Sequence, residues 1–366
     1  MQKPLSQRIR ITALLAAAGA APAGALAADS PATTLSQLLA NSGITESGYV
    51  AASYYRSSGA STYHQFDTSH DTFQLDQAGL QLAYQPKSGF GAVVDVIAGE
   101  DAKIVSAAES APAPGSDALD LLQGYAQYVR GPLTVQAGKF TTLAGAEVIA
   151  PTGDTNFSRS LLFYAEPMTH TGLRATYALT DTVSVIVGVN NGWNYTKIDY
   201  GSKTGELGIA LTPDKYFSLT AQVYAGKDPV DLANRTFFDG VATFNATPAL
   251  SFVASYDWGR QDASPVTAGG RWDGLAAYAN YQLSGQWRVS LRGEYFDDQD
   301  GFITGTAQKL AEGTITFGYD PVADFELRLE GRYDSSDVPG FVKKVSPVTI
   351  LTASQTEIAV QGVFRF

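Results

Sequence analysis

The stretch FELRLEGRYD, Phe325 to Asp334, alternates without a break. Phe325, Leu327, Leu329, Gly331 and Tyr333 fall on one face of an extended chain. Glu326, Arg328, Glu330, Arg332 and Asp334 fall on the other, because successive side chains of a strand point to opposite sides. About ten residues is the length a tilted strand needs to cross a bilayer. A face of five charges behind an apolar face fits two settings. In a soluble sandwich the polar face meets bulk water and the apolar face a second sheet. In a membrane barrel the apolar face meets lipid and the charged face a water-filled lumen.

The pattern recurs upstream. Trp287, Val289, Leu291 and Tyr295 oppose Arg288, Ser290, Arg292 and Glu294, and in 275–283 apolar or small odd positions oppose Tyr278, Asn280 and Gln282. Strands of this kind are expected near 46–57, 72–86, 89–99, 119–131, 132–140, 171–180, 182–192 and 203–212. Eight more are expected near 215–226, 235–246, 249–258, 272–283, 286–296, 307–319, 323–334 and 354–366. Short turns such as Gly131-Pro132, Thr180-Asp181, Ser284-Gly285 and Pro321-Val322 alternate with long links at 58–71, 100–118, 141–170, 193–202, 227–234, 259–271, 297–306 and 335–353. Short turns on one side and long loops on the other are the asymmetry of an outer-membrane barrel. The expected class is therefore all-β: a transmembrane antiparallel β-barrel of about 16 strands, with short periplasmic turns and long outer loops. Both ends of the barrel chain would lie on the periplasmic side.

Composition agrees with this and excludes other classes. There are no cysteines, so neither a disulfide scaffold nor a thiolate metal site is available. After the first residues no apolar run is long enough for a membrane helix, whereas barrel strands never need one. Lys3, Arg8 and Arg10 precede an apolar stretch from Ile11 to Ala23, and Ala25-Leu26-Ala27 fits a signal-peptidase site. Residues 1–27 are expected to be a signal peptide, 28–45 a periplasmic N-terminal segment and 46–366 the barrel. The alternative is an exposed N-terminal helix of a cytosolic protein. Without the signal the chain carries 22 basic against 36 acidic residues, a net charge of −14. Such acidity argues against a nucleic-acid partner, which needs clustered Lys and Arg. Thr34 to Asn41 has the spacing of a short amphipathic helix, too short to be stable alone.

The last strand carries Ile358, Val360, Phe364 and Phe366 on one face and stops on an aromatic. It looks like the sorting signal read by the outer-membrane assembly machinery, the partner expected for Phe366. The segment GKFTTLAGAEVIAPTGDTNFSRSLLF (Gly138 to Phe163), followed by Pro167, Thr169-His170-Thr171-Gly172 and Arg174-Ala175-Thr176-Tyr177, resembles the OmpL-like putative outer-membrane β-barrel porins, the porin-2 group. The opening Gly48-Tyr49-Val50 with Tyr54-Tyr55 and the terminal Phe366 fit the same group. The resemblance implies a pore and brings no catalytic residue.

Position, length and this likeness together suggest that the link 141–170 folds into the lumen and narrows it. Glu147, Asp154, Arg159 and Glu166 are its candidate constriction residues, with His170 and Arg174 at the return strand. Arg288, Arg292, Arg328 and Arg332 face the lumen by parity, mixed with Glu294, Glu326 and Glu330. Facing acids and bases would set up a transverse field that sorts solutes by charge; alternatively they pair across neighbouring strands and line a wet wall. Lys139 shares parity with Leu133 and Val135, which points it to lipid unless it snorkels or a bulge turns it inward.

Other site signals are weak. His64, His70 and His170 have no metal-ligand spacing. Asp297, Asp298 and Asp300 lack the full calcium-loop pattern. Neither a nucleophile elbow nor a phosphate loop is present, so no enzyme, cofactor or metal is expected. The expected function is passive diffusion of small hydrophilic solutes or ions across the outer membrane, with mild cation preference, lipid around the barrel and a homotrimer as an open possibility. An adhesin or receptor, or a barrel enzyme, is the alternative. A barrel of about 16 strands is wide enough to enclose water.

Overall fold

The computed structural model describes residues 41–109, 117–198, 201–345 and 348–366. The signal segment and, but for Asn41, the helix expected over 34–41 lie outside the described residues. Strand β1 (Ile44–Ser57) is followed by β2 (Thr72–Tyr84), β3 (Gly89–Ala98), β4 (Leu119–Arg130), β5 (Leu133–Thr141) and β6 (Thr169–Ala178). The wall continues through β7 (Val183–Asn190), β8 (Thr204–Leu211), β9 (Phe217–Lys227), β10 (Asn234–Thr247) and β11 (Leu250–Gln261). It is completed by β12 (Gly270–Gln282), β13 (Trp287–Asp298), β14 (Gln308–Val322), β15 (Phe325–Ser336) and β18 (Ser354–Arg365). These 16 strands form one closed antiparallel barrel in chain order, sealed where β1 pairs with β18. Closure satisfies every strand edge, which a bilayer requires because lipid offers no hydrogen bonds.

Burial is inverted relative to a soluble protein. On β15, Leu329 and Tyr333 are 51% and 52% exposed, while Glu326, Arg328, Glu330, Arg332 and Asp334 are all buried. Leu291 and Tyr295 on β13 are likewise exposed above the buried Ser290, Arg292 and Glu294. The apolar face belongs to lipid, and each side chain buried there stabilises the inserted barrel through the area it removes from water. Cross-strand aromatic pairs mark the short-turn rim: Phe90 with Tyr128, Phe244 with Phe252, Trp287 with Tyr319, and Phe325 with Phe364. At the other rim Tyr54 faces Phe73. From Trp287 to Tyr295 the strand rises roughly 26 Å along its own axis, which a tilt of about 40° reduces to about 20 Å, most of the apolar band.

The seam is made by both chain ends. Gly48 and Phe366 exchange two backbone hydrogen bonds of 2.9 Å, and the Phe366 ring lies where a Cβ at Gly48 would stand. Gly48→Val is therefore expected to displace that ring and lower the fraction of barrel that stays folded on a gel without heating; an undiminished fraction would show that the seam does not depend on the fit.

Two elements were not anticipated. Helix α1 (Glu100–Glu109) occupies the link read as plain loop. Its acidic first turn, Glu100 and Asp101, suits the positive end of the helix dipole, and its buried Ala102 and Val105 pack with Ile97, Leu122, Phe66 and Phe163. A hairpin, β16 (Phe341–Val345) with β17 (Val348–Thr352), stands within the last long link. Its Phe341 is fully buried and meets Tyr63 edge-on at 5.7 Å, while Tyr63 Oη donates to the Gly340 carbonyl at 3.2 Å. The first and last outer loops therefore fold inward over the barrel mouth.

Lys139 reaches neither lipid nor solvent. It is buried, and its ammonium holds Glu109 of α1 at 2.6 Å, Asp120 at 3.0 Å and the Leu121 carbonyl at 2.5 Å. The preceding Gly138 has a φ of 137°, a backbone state open to glycine that changes the strand's aim where parity assumed a regular pleat.

Candidate functional site

Between β5 and β6 the chain leaves the wall and crosses the lumen over residues 142–168. The crossing contains one 3-10 turn (Pro151–Gly153) and one short helix, α2 (Leu161–Tyr164). Such a loop carries backbone donors and acceptors into the barrel that need partners. The wall of β13, β14 and β15 supplies them from rungs of alternating sign. Arg288, Gly318 and Arg328 lie in one rung; Ser290, Thr316 and Glu330 in the next; then Arg292, Thr314 and Arg332; then Glu294, Glu312 and Asp334.

Each rung grips a different part of the loop. Arg328 donates to the carbonyls of Pro151 at 3.0 Å, Asp154 at 2.9 Å and Asn156 at 3.2 Å, and pairs with Glu326 at 2.9 Å. The Glu330 carboxylate accepts from the Phe157 and Ser158 amides at 2.6 and 2.9 Å and from Ser158 Oγ. Arg292 donates to Glu147 at 2.8 Å and to the Ser158 carbonyl at 2.7 Å, and pairs with Glu294 at 3.0 Å and Glu312 at 3.2 Å. Arg332 donates to the Arg159 carbonyl at 2.6 Å. Glu294 accepts from the Leu161 amide at 2.8 Å, and Glu147 from the Ser160 amide at 2.7 Å. Arg288 adds the Thr155 carbonyl at 2.6 Å and an ion pair with Glu326.

Within the loop, Arg159 ties the crossing to itself. It meets Asp154 at 2.9 Å and the carbonyls of Val148 and Ile149 at 2.8 and 2.9 Å, and its guanidinium lies over the rings of Phe66 and Phe163. Leu161 and Leu162 pack into an apolar cluster with Tyr224 of β9, Phe237 of β10, Trp272 of β12 and Phe296 of β13. Ten of the candidate residues thus meet in one clamp: Glu147, Asp154, Arg159, Arg288, Arg292, Glu294, Glu326, Arg328, Glu330 and Arg332. Among them Glu147 and Arg292 pair across the contact between loop and wall; the other ion pairs lie within the loop or within the wall, and the remaining wall charges hold loop backbone.

The other three lie elsewhere. His170 is buried on β6, stacked on Tyr224 at 4.8 Å, and its Nδ1 lies 3.1 Å from the Gly192 carbonyl. Arg174 forks onto Glu206 with both carboxylate oxygens 3.0 Å from Nε, over the Phe140 ring. Glu166, on the return limb of the loop, sits with Asp239 of β10 and Asp257 of β11. Neither aspartate was singled out from the sequence, although inward parity in β10 and β11 marks both. Asp298 uses its carboxylate on the amides of Ile303 and Thr304 at 3.0 and 2.7 Å and so closes a turn.

The clamp leaves space on the opposite side. A cavity of about 410 Å³ lies between loop residues 143–150 and the wall of β2 to β5, with Gln81, Asp95, Gln123 and Thr141 on its wall side and apolar residues including Leu143, Val148 and Ile149 on its loop side. Asp95 accepts from the Gln81 and Gln123 amides at 3.2 Å each and forms no ion pair among the described residues. A second space of about 420 Å³ opens toward the short-turn end beside Asp154, Arg288, Asp320, Glu326 and Arg365.

A family model described as putative β-barrel porin-2, OmpL-like, matches residues 42–366. No curated protein sequence matches the chain. Among solved structures, the anion-selective porin from Comamonas acidovorans is similar at a TM-score of 0.61 and 12% identity, covering 88% of this chain and 99% of that one. The outer membrane channel DcaP of Acinetobacter baumannii gives 0.58 at 13% identity, over 88% and 97% of the two chains. The trimer form of OmpT from Vibrio cholerae gives 0.59 at 11% identity, over 88% and 99%. At such identities the likeness is one of fold.

Proposed function

Because the chain belongs to the OmpL-like putative β-barrel porin-2 family and is a channel of the Gram-negative outer membrane, we propose that it passes small hydrophilic solutes and ions by passive diffusion, along the polar side of its constriction loop. The observation that carries this reading is the asymmetry of the lumen. The loop is fastened to β13–β15 by buried charges that neutralise one another, and the cavity on the opposite side is lined by Gln81, Gln123 and Asp95. Solutes there meet amides, hydroxyls and the unpaired Asp95 carboxylate on the wall side, which exchange hydrogen bonds with water at little cost, and mostly apolar side chains such as Leu143, Val148 and Ile149 on the loop side.

An unpaired carboxylate in a narrow passage favours cations, because the field of one charge is poorly screened where little water fits. The channel is expected to be ohmic in planar bilayers and to prefer potassium over chloride in a salt gradient. Asp95→Asn should bring the permeability ratio close to one without abolishing conductance. Silence of the folded protein in bilayers would turn the reading toward an adhesin, receptor or barrel enzyme, and anion preference of the native channel would refute the selectivity. The same proposal includes assembly as a homotrimer, the form named for one similar structure, with Phe366 presented to the assembly machinery. Cross-linking of the barrel in intact membranes, giving three-chain species, tests the trimer.

A further inference from the structure

The carboxylates of Glu166, Asp239 and Asp257 are all buried, and one oxygen from each lies within 4.8 Å of the others. Asp239 and Asp257 are direct cross-strand neighbours on the inner face of β10 and β11. Like charges in that position repel, and a low-dielectric surrounding makes the repulsion worse. On β13–β15 acidic rungs are offset by arginine rungs. Here no ion pair reaches any of the three acids among the described residues, and no side chain outside the cluster donates a well-formed hydrogen bond to Asp239 or Asp257.

A second observation points into the same spot. The Ser255 hydroxyl, 1% exposed and two residues before Asp257, lies beside Asp239 and meets no partner outside the cluster among the described residues. The backbone is shaped around the cluster as well. Gly145, on the outgoing limb of the loop, has a φ of 85°, and the Glu166 carboxylate fills the place a Cβ would take. Both limbs of the loop and two wall strands therefore converge on three oxygen-only donors.

We propose that Glu166, Asp239 and Asp257 bind a hard divalent cation of the calcium class, which ties the return limb of the constriction loop to β10 and β11. Oxygen atoms spread over at most 4.8 Å can share one centre at the 2.3–2.6 Å typical of calcium, and three carboxylates offer up to six of its six to eight ligands. Two positive charges offset most of the three negative ones. The clamp on β13–β15 would then be joined by an ionic fastening on β10 and β11, beyond β12, so that the middle of the loop and its return limb are each anchored to the wall.

Calorimetric titration of calcium chloride into the full-length folded barrel, stripped beforehand with EDTA, tests this. The native protein should take up one equivalent per chain and unfold at a higher temperature with calcium than with EDTA. Asp257→Asn should weaken uptake at least tenfold and abolish the shift. Should that variant fail to fold, Glu166→Gln, which leaves the barrel wall intact, takes its place with the same expectation. No stoichiometric uptake by the native barrel would overturn the proposal, leaving shared protons as what holds the acids together. Equal uptake by native and substituted barrels would overturn it too, since the ion would then bind elsewhere.

Discussion

Arg292→Ala should release the constriction loop, raising single-channel conductance at least about twofold and making it noisy. Arg292 is fully buried at the side chain and is the one group that touches the loop acid Glu147, the loop carbonyl of Ser158 and the wall acids Glu294 and Glu312 together. Removing it leaves three carboxylates facing one another, with Arg332 3.8 Å from Glu312 as the nearest remaining base. Breaking a buried pair by deleting one partner typically costs about 3–5 kcal/mol, because the partner stays behind uncompensated. The barrel itself need not unfold to relieve this, since its strands are held by closed backbone ladders. The loop is the part free to move. Arg292→Lys should resemble alanine more than arginine, because a single ammonium cannot at once serve Glu147 and the Ser158 carbonyl, which Nη1 meets, and the wall acids Glu294 and Glu312, which Nε meets. Bilayer recordings of both variants check this, and unchanged conductance and noise in a folded Arg292→Ala barrel would refute the clamp.

The same residues show how far the sequence could be read. The inward direction of Arg288, Arg292, Arg328 and Arg332 follows from a period of two, and strand alternation leaves no freedom once one face must meet lipid. The site of the crossing loop was legible for a similar reason: a long link stood where short turns and long loops alternate. What each charge touches was not legible. Glu330 holds Phe157 and Ser158 across a separation of more than 170 residues, a contact that exists only once the barrel has closed. Parity alone leaves Lys139 open between lipid and an inward turn, and the φ of Gly138 and the reach of Glu109 from α1, which decide it, lie outside that rule. Helix α1 and the β16–β17 hairpin were hidden because short elements in long links draw their stability from packing on the lumen, which local propensity does not record. Asp239 and Asp257 passed unnoticed because each looks ordinary within its own strand. Only their register places them opposite one another.

Alkaline pH should loosen the first outer loop through His64, whose ring is buried between Asp67 and Asp334. Burial and the nearby Arg332 push its pKa down, but Asp67 and Asp334 more than offset both and leave it raised to about 10. Asp67 is pushed below the ordinary carboxylate range: burial acts to raise it, and the charge and hydrogen bond of His64 prevail. The sign follows from linkage. A histidine whose folded pKa exceeds its unfolded value near 6.5 contributes fully below about pH 6.5 and loses that contribution as pH climbs through about 10. Asp67, with its pKa lowered, contributes above about pH 4 and loses it on acidification. His64 also touches Gln355 at 2.9 Å, and Gln355 in turn holds the Thr62 carbonyl at 2.9 Å, so the ring fastens the loop that carries Tyr63 onto the inward-folded Phe341. The stability difference between the native barrel and His64→Gln, measured by urea unfolding, should therefore shrink between pH 6.5 and 10.5. A difference that stays flat over that range would mean that the ring is neutral in the folded barrel and that the loop is held by packing alone.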